Sequence, residues 1–192
     1  MALIAASFGV LLALLGPVYS SQGQNSPCPH EAPMTFIDFD APPPTLEQIW
    51  RRVDMIVRGR VATTHPPVLA QRNVVRYNDV ETVEVLKDDQ QSPGRSTIQV
   101  KQYGGTITVG EGVFRTACVM RFFQTGDDVV LFLSRDTRGD GYWVTYAEPG
   151  AIWIDRNGIA ILPQVPAYSS AFGGAGSIPV STLLQRLKTL GK

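Results

Sequence analysis

The stretch Asp54-Met55-Ile56-Val57-Arg58-Gly59-Arg60-Val61 decides the fold that we expect for this chain. Its apolar and polar residues lean toward alternation, which is the period of a half-buried β-strand. Gly59 stands in the middle, and a glycine inside a strand marks a bulge or a sharp bend. A short helix precedes the stretch. We therefore predict a mainly β protein, a small closed barrel whose first strand bends at Gly59.

The composition limits the classes of function. The chain has 192 residues, 17 cationic and 17 anionic, with 18 glycines and 14 prolines. This length suits one domain with a substantial core. The balanced charge gives no electrostatic basis for binding nucleic acid or an anionic membrane. Abundant glycine and proline favour a loop-rich β protein over a helical bundle.

The first 20 residues have the order of a cleaved export signal. No charge occurs from Met1 to Tyr19, and the apolar run 11–15 is followed by Gly16-Pro17 and then by small serines. A membrane anchor is the alternative, but this run is short against the about 20 apolar residues that span a bilayer. We predict cleavage after Ser20, hence a secreted or periplasmic protein that is not attached to a membrane.

Residues 21–44 are polar and rich in proline, which predicts an extended arm with little structure of its own. The arm carries Cys28, and the only other cysteine is Cys118. An even number of cysteines in an oxidising compartment favours one disulfide. A reactive thiol or a metal ligand is the alternative.

The remaining residues, 45–192, are predicted to form a single β-barrel domain with a C-terminal helix at 181–190. Thr45 and Gln48 form the pattern of a capping box at the start of a short helix. Asn157-Gly158 predicts a hairpin turn.

Two segments of this domain show no regular pattern. Residues 169–177 are predicted to form a flexible linker, and residues 104–126 are apolar without a clear period. The predicted strands lie at 54–61, 74–87, 97–103, 128–133, 142–146, 151–154 and 159–162.

Together these segments resemble a known family. The chain resembles the netrin-like domain, a family that includes the tissue inhibitors of metalloproteinases. The resemblance lies in the order of Cys28, a short helix, the stretch 54–61, Val83–Lys87 and Asp128–Leu133. The resemblance implies a secreted protein with an OB-type five-stranded barrel and flanking helices. It also implies a disulfide between Cys28 and Cys118. The family's inhibitors place a Cys-x-Cys N-terminus on a catalytic zinc. Here Pro29-His30 follows Cys28 without a second cysteine, so the resemblance implies fold and compartment, not inhibition.

No catalytic, cofactor or metal site is predicted. The two histidines, His30 and His65, lie beside prolines in predicted loops. A stable metal site needs three or four ligands, and a serine hydrolase needs a histidine held beside its nucleophile.

OB-type barrels bind oligonucleotides or sugars on the face of their second and third strands. At that place this chain offers Arg76, Tyr77, Lys101 and Tyr103, which we predict as a possible ligand surface. Balanced charge and export argue against nucleic acid, which leaves a glycan.

Three hypotheses follow. The first is a non-enzymatic binding module that recognises a secreted or periplasmic protein, including an exported protease, through the arm and residues 104–126, because loops on a rigid scaffold carry recognition. The second is a glycan-binding barrel, and the third is an exported hydrolase.

Overall fold

The structure is a computed structural model and describes residues 45–89, 95–116, 120–145 and 148–191. The predicted signal peptide, the arm and both cysteines lie outside these residues. The described chain is mainly β, with three α-helices. Its helices are α1 (Leu46–Arg52), α2 (Pro166–Ala171) and α3 (Val180–Leu190). Its strands are β1 (Met55–Thr64), β2 (Val68–Ala70), β3 (Asn73–Asp88), β4 (Thr97–Tyr103), β5 (Gly105–Val109), β6 (Gly112–Thr116), β7 (Asp128–Arg135), β8 (Tyr142–Val144), β9 (Ala151–Ile154), β10 (Ile159–Ile161) and β11 (Ser177–Pro179).

The predicted strands are confirmed, with small differences at their ends. The predicted linker at 169–177 is wrong at both ends, because α2 continues to Ala171 and β11 begins at Ser177. Tyr168 explains this helix: its side chain is fully buried, and its hydroxyl donates to the carbonyl of Pro149. Residues 104–126, which show no clear period in the sequence, contain the hairpin β5–β6. None of the described helices has the length and apolar character that crossing a membrane requires.

Strand β1 is paired on both of its edges. It is antiparallel to β3 on one side and to β7 on the other. Strand β3 pairs with β4, β4 pairs in parallel with β8, and β8 pairs with β7. The pairings therefore lead from β1 through β3, β4, β8 and β7 back to β1. Strand β7 also pairs with β9 beyond its contact with β8, and β10 and β11 extend the sheet from there.

Two apolar cores lie on the two faces of β7. Val129, Leu131 and Leu133 belong to one core, together with residues of β1, β3 and β4. Val130 and Phe132 belong to the other, which includes apolar residues of all three helices. Because successive side chains of a strand point to opposite faces, a strand buried on both faces needs a continuous apolar run. This is why 128–133 does not alternate.

The register of β1 and β3 is interrupted beside Gly59. Arg58 pairs with Glu84 and Gly59 with Thr82, so Val83 is an extra residue on β3. The predicted irregularity at Gly59 is thus confirmed, with the bulged residue on the partner strand. A second shift lies beside Asp79, where Ala62 is the extra residue. It matches the bend predicted at Asn78-Asp79.

Both ends of α1 are satisfied by side chains. The Gln48 amide donates to Thr45 Oγ1 at 3.2 Å, and the Thr45 amide donates to Gln48 Oε1 at 2.9 Å, which confirms the capping box. At the other end, Nζ of Lys87 donates to the carbonyls of Trp50 and Val53. A cation at this place also opposes the negative end of the helix dipole.

Candidate binding surfaces

Three neighbouring strands place aromatic side chains on one face of the sheet. Tyr77 of β3 pairs with Lys101 of β4, and Lys101 pairs with Trp143 of β8. Tyr103 lies two residues after Lys101, so it points to the same face. We call Tyr77, Lys101, Tyr103 and Trp143 the aromatic face.

The outermost part of the aromatic face is a stacked pair. The ring centroids of Tyr103 and Trp143 are 4.2 Å apart, with 11° between the ring planes. Tyr103 remains 40% exposed. Nζ of Lys101 lies 5.5 Å from the centroid of Tyr77 and 5.7 Å from that of Trp143. The face therefore presents flat apolar rings to solvent, with a cation beneath them.

Lys101 does not offer a free positive charge. Its Nζ lies 2.6 Å from Oδ2 of Asp136, and the two side chains are only 6% and 14% exposed. The hydrogen bond from Lys101, and then that from the Arg138 amide, lowers the pKa of Asp136 below its usual value. Lys101, which the sequence predicts as one cation of a ligand surface, thus forms an ion pair with Asp136 within the chain.

Arg76 does not belong to the aromatic face either. It pairs with Gln102, whose side chain is buried on the opposite side of the sheet. Cζ of Arg76 lies 4.2 Å from the centroid of the Phe122 ring. The four predicted residues therefore lie on two opposite faces of the sheet, because Arg76 and Tyr77 are consecutive residues of one strand.

The sequence prediction omitted Trp143 and Asp136. Trp143 lies in a strand that the sequence does predict, but its place beside Lys101 depends on the parallel pairing of β4 with β8. The paired positions Lys101 and Trp143 are 42 residues apart in the sequence, a separation that no local pattern spans. Pairings at such separation are not encoded in local turn chemistry.

The hairpin β5–β6 forms a sheet of its own. Gly104 and Gly105, with φ of +127° and +112°, turn the chain from β4 into the hairpin. At its base the Gly104 amide donates to the carbonyl of Val74 at 3.0 Å. The Val74 amide donates to Oγ1 of Thr116 at 2.7 Å. These contacts attach the hairpin to β3, while its tip at Gly110-Glu111 is exposed.

One face of this hairpin is apolar. Ile107 pairs with Phe114, and Val109 pairs with Gly112, which places Ile107, Val109 and Phe114 on one side. Val109 is 50% exposed and Phe114 is 36% exposed, and neither belongs to an apolar core. We call these three residues the apolar hairpin face. The opposite side carries Thr106, Thr108, Val113 and Arg115.

Within the described residues, no three His, Cys, Asp or Glu side chains are grouped as a metal site would require. His65 forms one contact of this kind, with Nε2 2.8 Å from Oδ2 of Asp79. His30 lies outside the described residues.

No protein-family model matches the chain, and the search of curated proteins finds no similar sequence.

Proposed function

We propose that this chain is an exported, non-enzymatic binding module built on an OB-like barrel, and that it recognises another protein through the apolar hairpin face. The barrel is supported by the pairings that lead through five strands back to β1. OB-type barrels are five-stranded. Export rests on the pattern of residues 1–20, and it makes a secreted or periplasmic protein, such as an exported protease, the expected partner.

The exposure of Val109 and Phe114 carries this proposal. Apolar side chains grouped on an exposed surface mark sites of protein interaction. Aromatic residues contribute strongly to binding when a partner covers them. A hairpin attached at its base to a rigid sheet holds such residues with little loss of conformational entropy on binding. The arm, predicted as the other part of this surface, lies outside the described residues.

The experiment compares two pairs of exposed apolar residues. Purified protein is used to capture partners from the extracellular or periplasmic fraction of its source, and the affinity of each captured partner is then measured. The double variant Val109→Ser/Phe114→Ser is expected to weaken binding about 30-fold, the effect of losing one hot-spot residue of about 2 kcal/mol.

The matched control is Val83→Ser/Val85→Ser. These valines are 60% and 49% exposed on β3, outside the hairpin. This control should keep the affinity of the natural chain. Equal affinity for the natural chain and the hairpin variant, or repeated failure to capture any protein, would contradict the proposal.

A second candidate, a glycan-binding barrel, is favoured by the stacked pair Tyr103 and Trp143. Aromatic rings give the flat apolar surface on which a sugar ring packs. Tyr77 and Tyr103 lie on the second and third strands of the circuit, where OB-type barrels bind sugars, and Trp143 lies on the next strand. A glycan array should then lose its signal with Tyr103→Ala and Tyr77→Ala, but not with the hairpin variant. An unchanged array would remove this candidate.

A further inference from the structure

Arg76 differs from the other partly buried cations of the described chain. Four lysines and arginines in that part are not exposed, and all but Arg76 have a carboxylate partner there. A charge withdrawn from water without a partner is costly, so such groups are normally paired. The three pairs are Arg58 with Asp128 at 2.7 Å, Lys87 with Asp89 at 2.8 Å and Lys101 with Asp136 at 2.6 Å.

The described residues around Arg76 leave the N–H group on Nε without a hydrogen bond. Phe122 covers the flat side of the guanidinium, which is a favourable cation–π contact. That contact does not use the N–H groups at the edge. Nε is buried, and no described residue accepts a hydrogen bond from it. Burial lowers the pKa of Arg76 from its usual value, as expected for a cation with no carboxylate partner among the described residues.

The side-chain oxygen on the residue paired with Arg76 already accepts two hydrogen bonds. Oε1 of Gln102, the cross-strand neighbour of Arg76, accepts from Nδ2 of Asn78 and from the Phe123 amide. On another side, Gly105 leaves the guanidinium without a side chain against it. A Cβ atom at position 105 would lie 3.7 Å from both Nε and Nη2 of Arg76. The edge that carries these two nitrogens therefore faces the backbone of Gly105 and the apolar side chain of Val74, and neither of these offers a charge to the guanidinium.

We propose that Arg76 binds a carboxylate group of a ligand at the base of the hairpin, between Phe122 and Gly105. The planar fork of a guanidinium matches the two oxygens of a carboxylate and forms charge-assisted hydrogen bonds with them. Such a ligand supplies the anion that the described chain does not. The proposal is independent of the proposed function, since a small carboxylate in solution is enough to test it.

Acetate is the probe, titrated against chloride at constant ionic strength. The Nε–H signals of arginines are followed in 1H–15N spectra, where the Arg76 signal is identified by its loss in Arg76→Lys. We expect that signal to shift and saturate at millimolar acetate. We also expect acetate to raise the melting temperature of the natural chain, and Arg76→Gln to weaken the binding about tenfold or more.

Arg115→Gln is the matched control, because Arg115 is an exposed arginine of the same hairpin. It should bind acetate as the natural chain does. A change in the chemical shift of Arg76 that stays linear with acetate concentration, or one that chloride reproduces, would overturn the proposal. Equally tight binding of phosphate would also overturn it. So would binding of acetate that occurs only after Glu31, Asp38 and Asp40 of the arm are replaced by uncharged residues. A variant that fails to fold leaves the titration of the natural chain as the deciding measurement.

Discussion

Gly59 and Val80 are packed so closely that no side chain fits between them. A Cβ atom at position 59 would lie 2.5 Å from Cγ1 of Val80 and 2.9 Å from the carbonyl oxygen of Glu81. One of these atoms belongs to the backbone, so the strands must separate to admit a methyl group. We therefore expect Gly59→Ala to lower the free energy of unfolding by about 1–3 kcal/mol, measured by urea denaturation.

The control for this prediction is Gly176→Ala. A Cβ atom there would meet only Nε2 of Gln164 at 3.2 Å, the end of a flexible side chain. Its effect should be within about 0.5 kcal/mol. A Gly59→Ala protein as stable as this control would show that β1 and β3 do not need their close approach.

The second prediction concerns Lys101 and Asp136. Asp136→Asn leaves the ammonium of Lys101, in a side chain only 6% exposed, without its counter-charge. Removing one partner of a buried pair costs about 3–5 kcal/mol, which urea denaturation measures. The double variant Lys101→Met/Asp136→Leu should recover most of this loss, because replacing both charges with apolar groups is often neutral.

A comparison with an exposed pair separates burial from charge. Arg186 and Glu47 are 3.7 Å apart and nearly half exposed. Arg186→Gln should change stability by no more than about 0.5 kcal/mol. Similar losses for Asp136→Asn and Arg186→Gln would mean that the shielding of Lys101 has no energetic effect.

The third prediction is a dependence on acid. The hydrogen bond from Lys101 lowers the pKa of Asp136 in the folded chain. A carboxyl with a lowered pKa stabilises the fold above its unfolded pKa, about 3.9, and loses that contribution as the pH falls through the folded pKa. The stability difference between the natural chain and Asp136→Asn should therefore be constant above about pH 5 and shrink below about pH 4. A difference that stays the same at pH 3 and pH 6 would contradict this assignment.

The fourth prediction concerns the end of α1. Lys87→Met removes the donor that reaches the carbonyls of Trp50 and Val53. The loss should be about 1–2 kcal/mol, with faster hydrogen exchange at the amides of α1. Lys188→Met is the control, since Lys188 is 54% exposed and contacts only Glu84 among the ion pairs of the described chain. Unchanged exchange in α1 would exclude Lys87 as a cap.

Local signals in the sequence predict much of this fold. The capping box at Thr45, the alternation of 97–103 and the Asn157-Gly158 turn each act within a few residues, so they can be read from the chain. The helix α2 cannot be read in this way. Apart from Pro166 and Tyr168 its residues are only alanines and serines, which form no apolar stripe, and burial of Tyr168 decides its structure.

The candidate surfaces are less predictable, for a physical reason. The positions of Tyr77 and Tyr103 follow from strand parity and are predicted together. The separation of Arg76 from them follows from the same parity, which the sequence prediction did not apply. Trp143 and Asp136 join the site through the pairing of β4 with β8 and through an ion pair, both of which join distant parts of the chain.

The two cores that share β7 determine how far the molecule can be shortened. A fragment that ends after β8 would lack β9, β10, α2 and α3, which contribute most of the core around Val130 and Phe132. That fragment would expose an apolar surface of the sheet to water, which favours self-association. We therefore expect the smallest well-behaved piece of this chain to include α3, however small the region that meets a ligand.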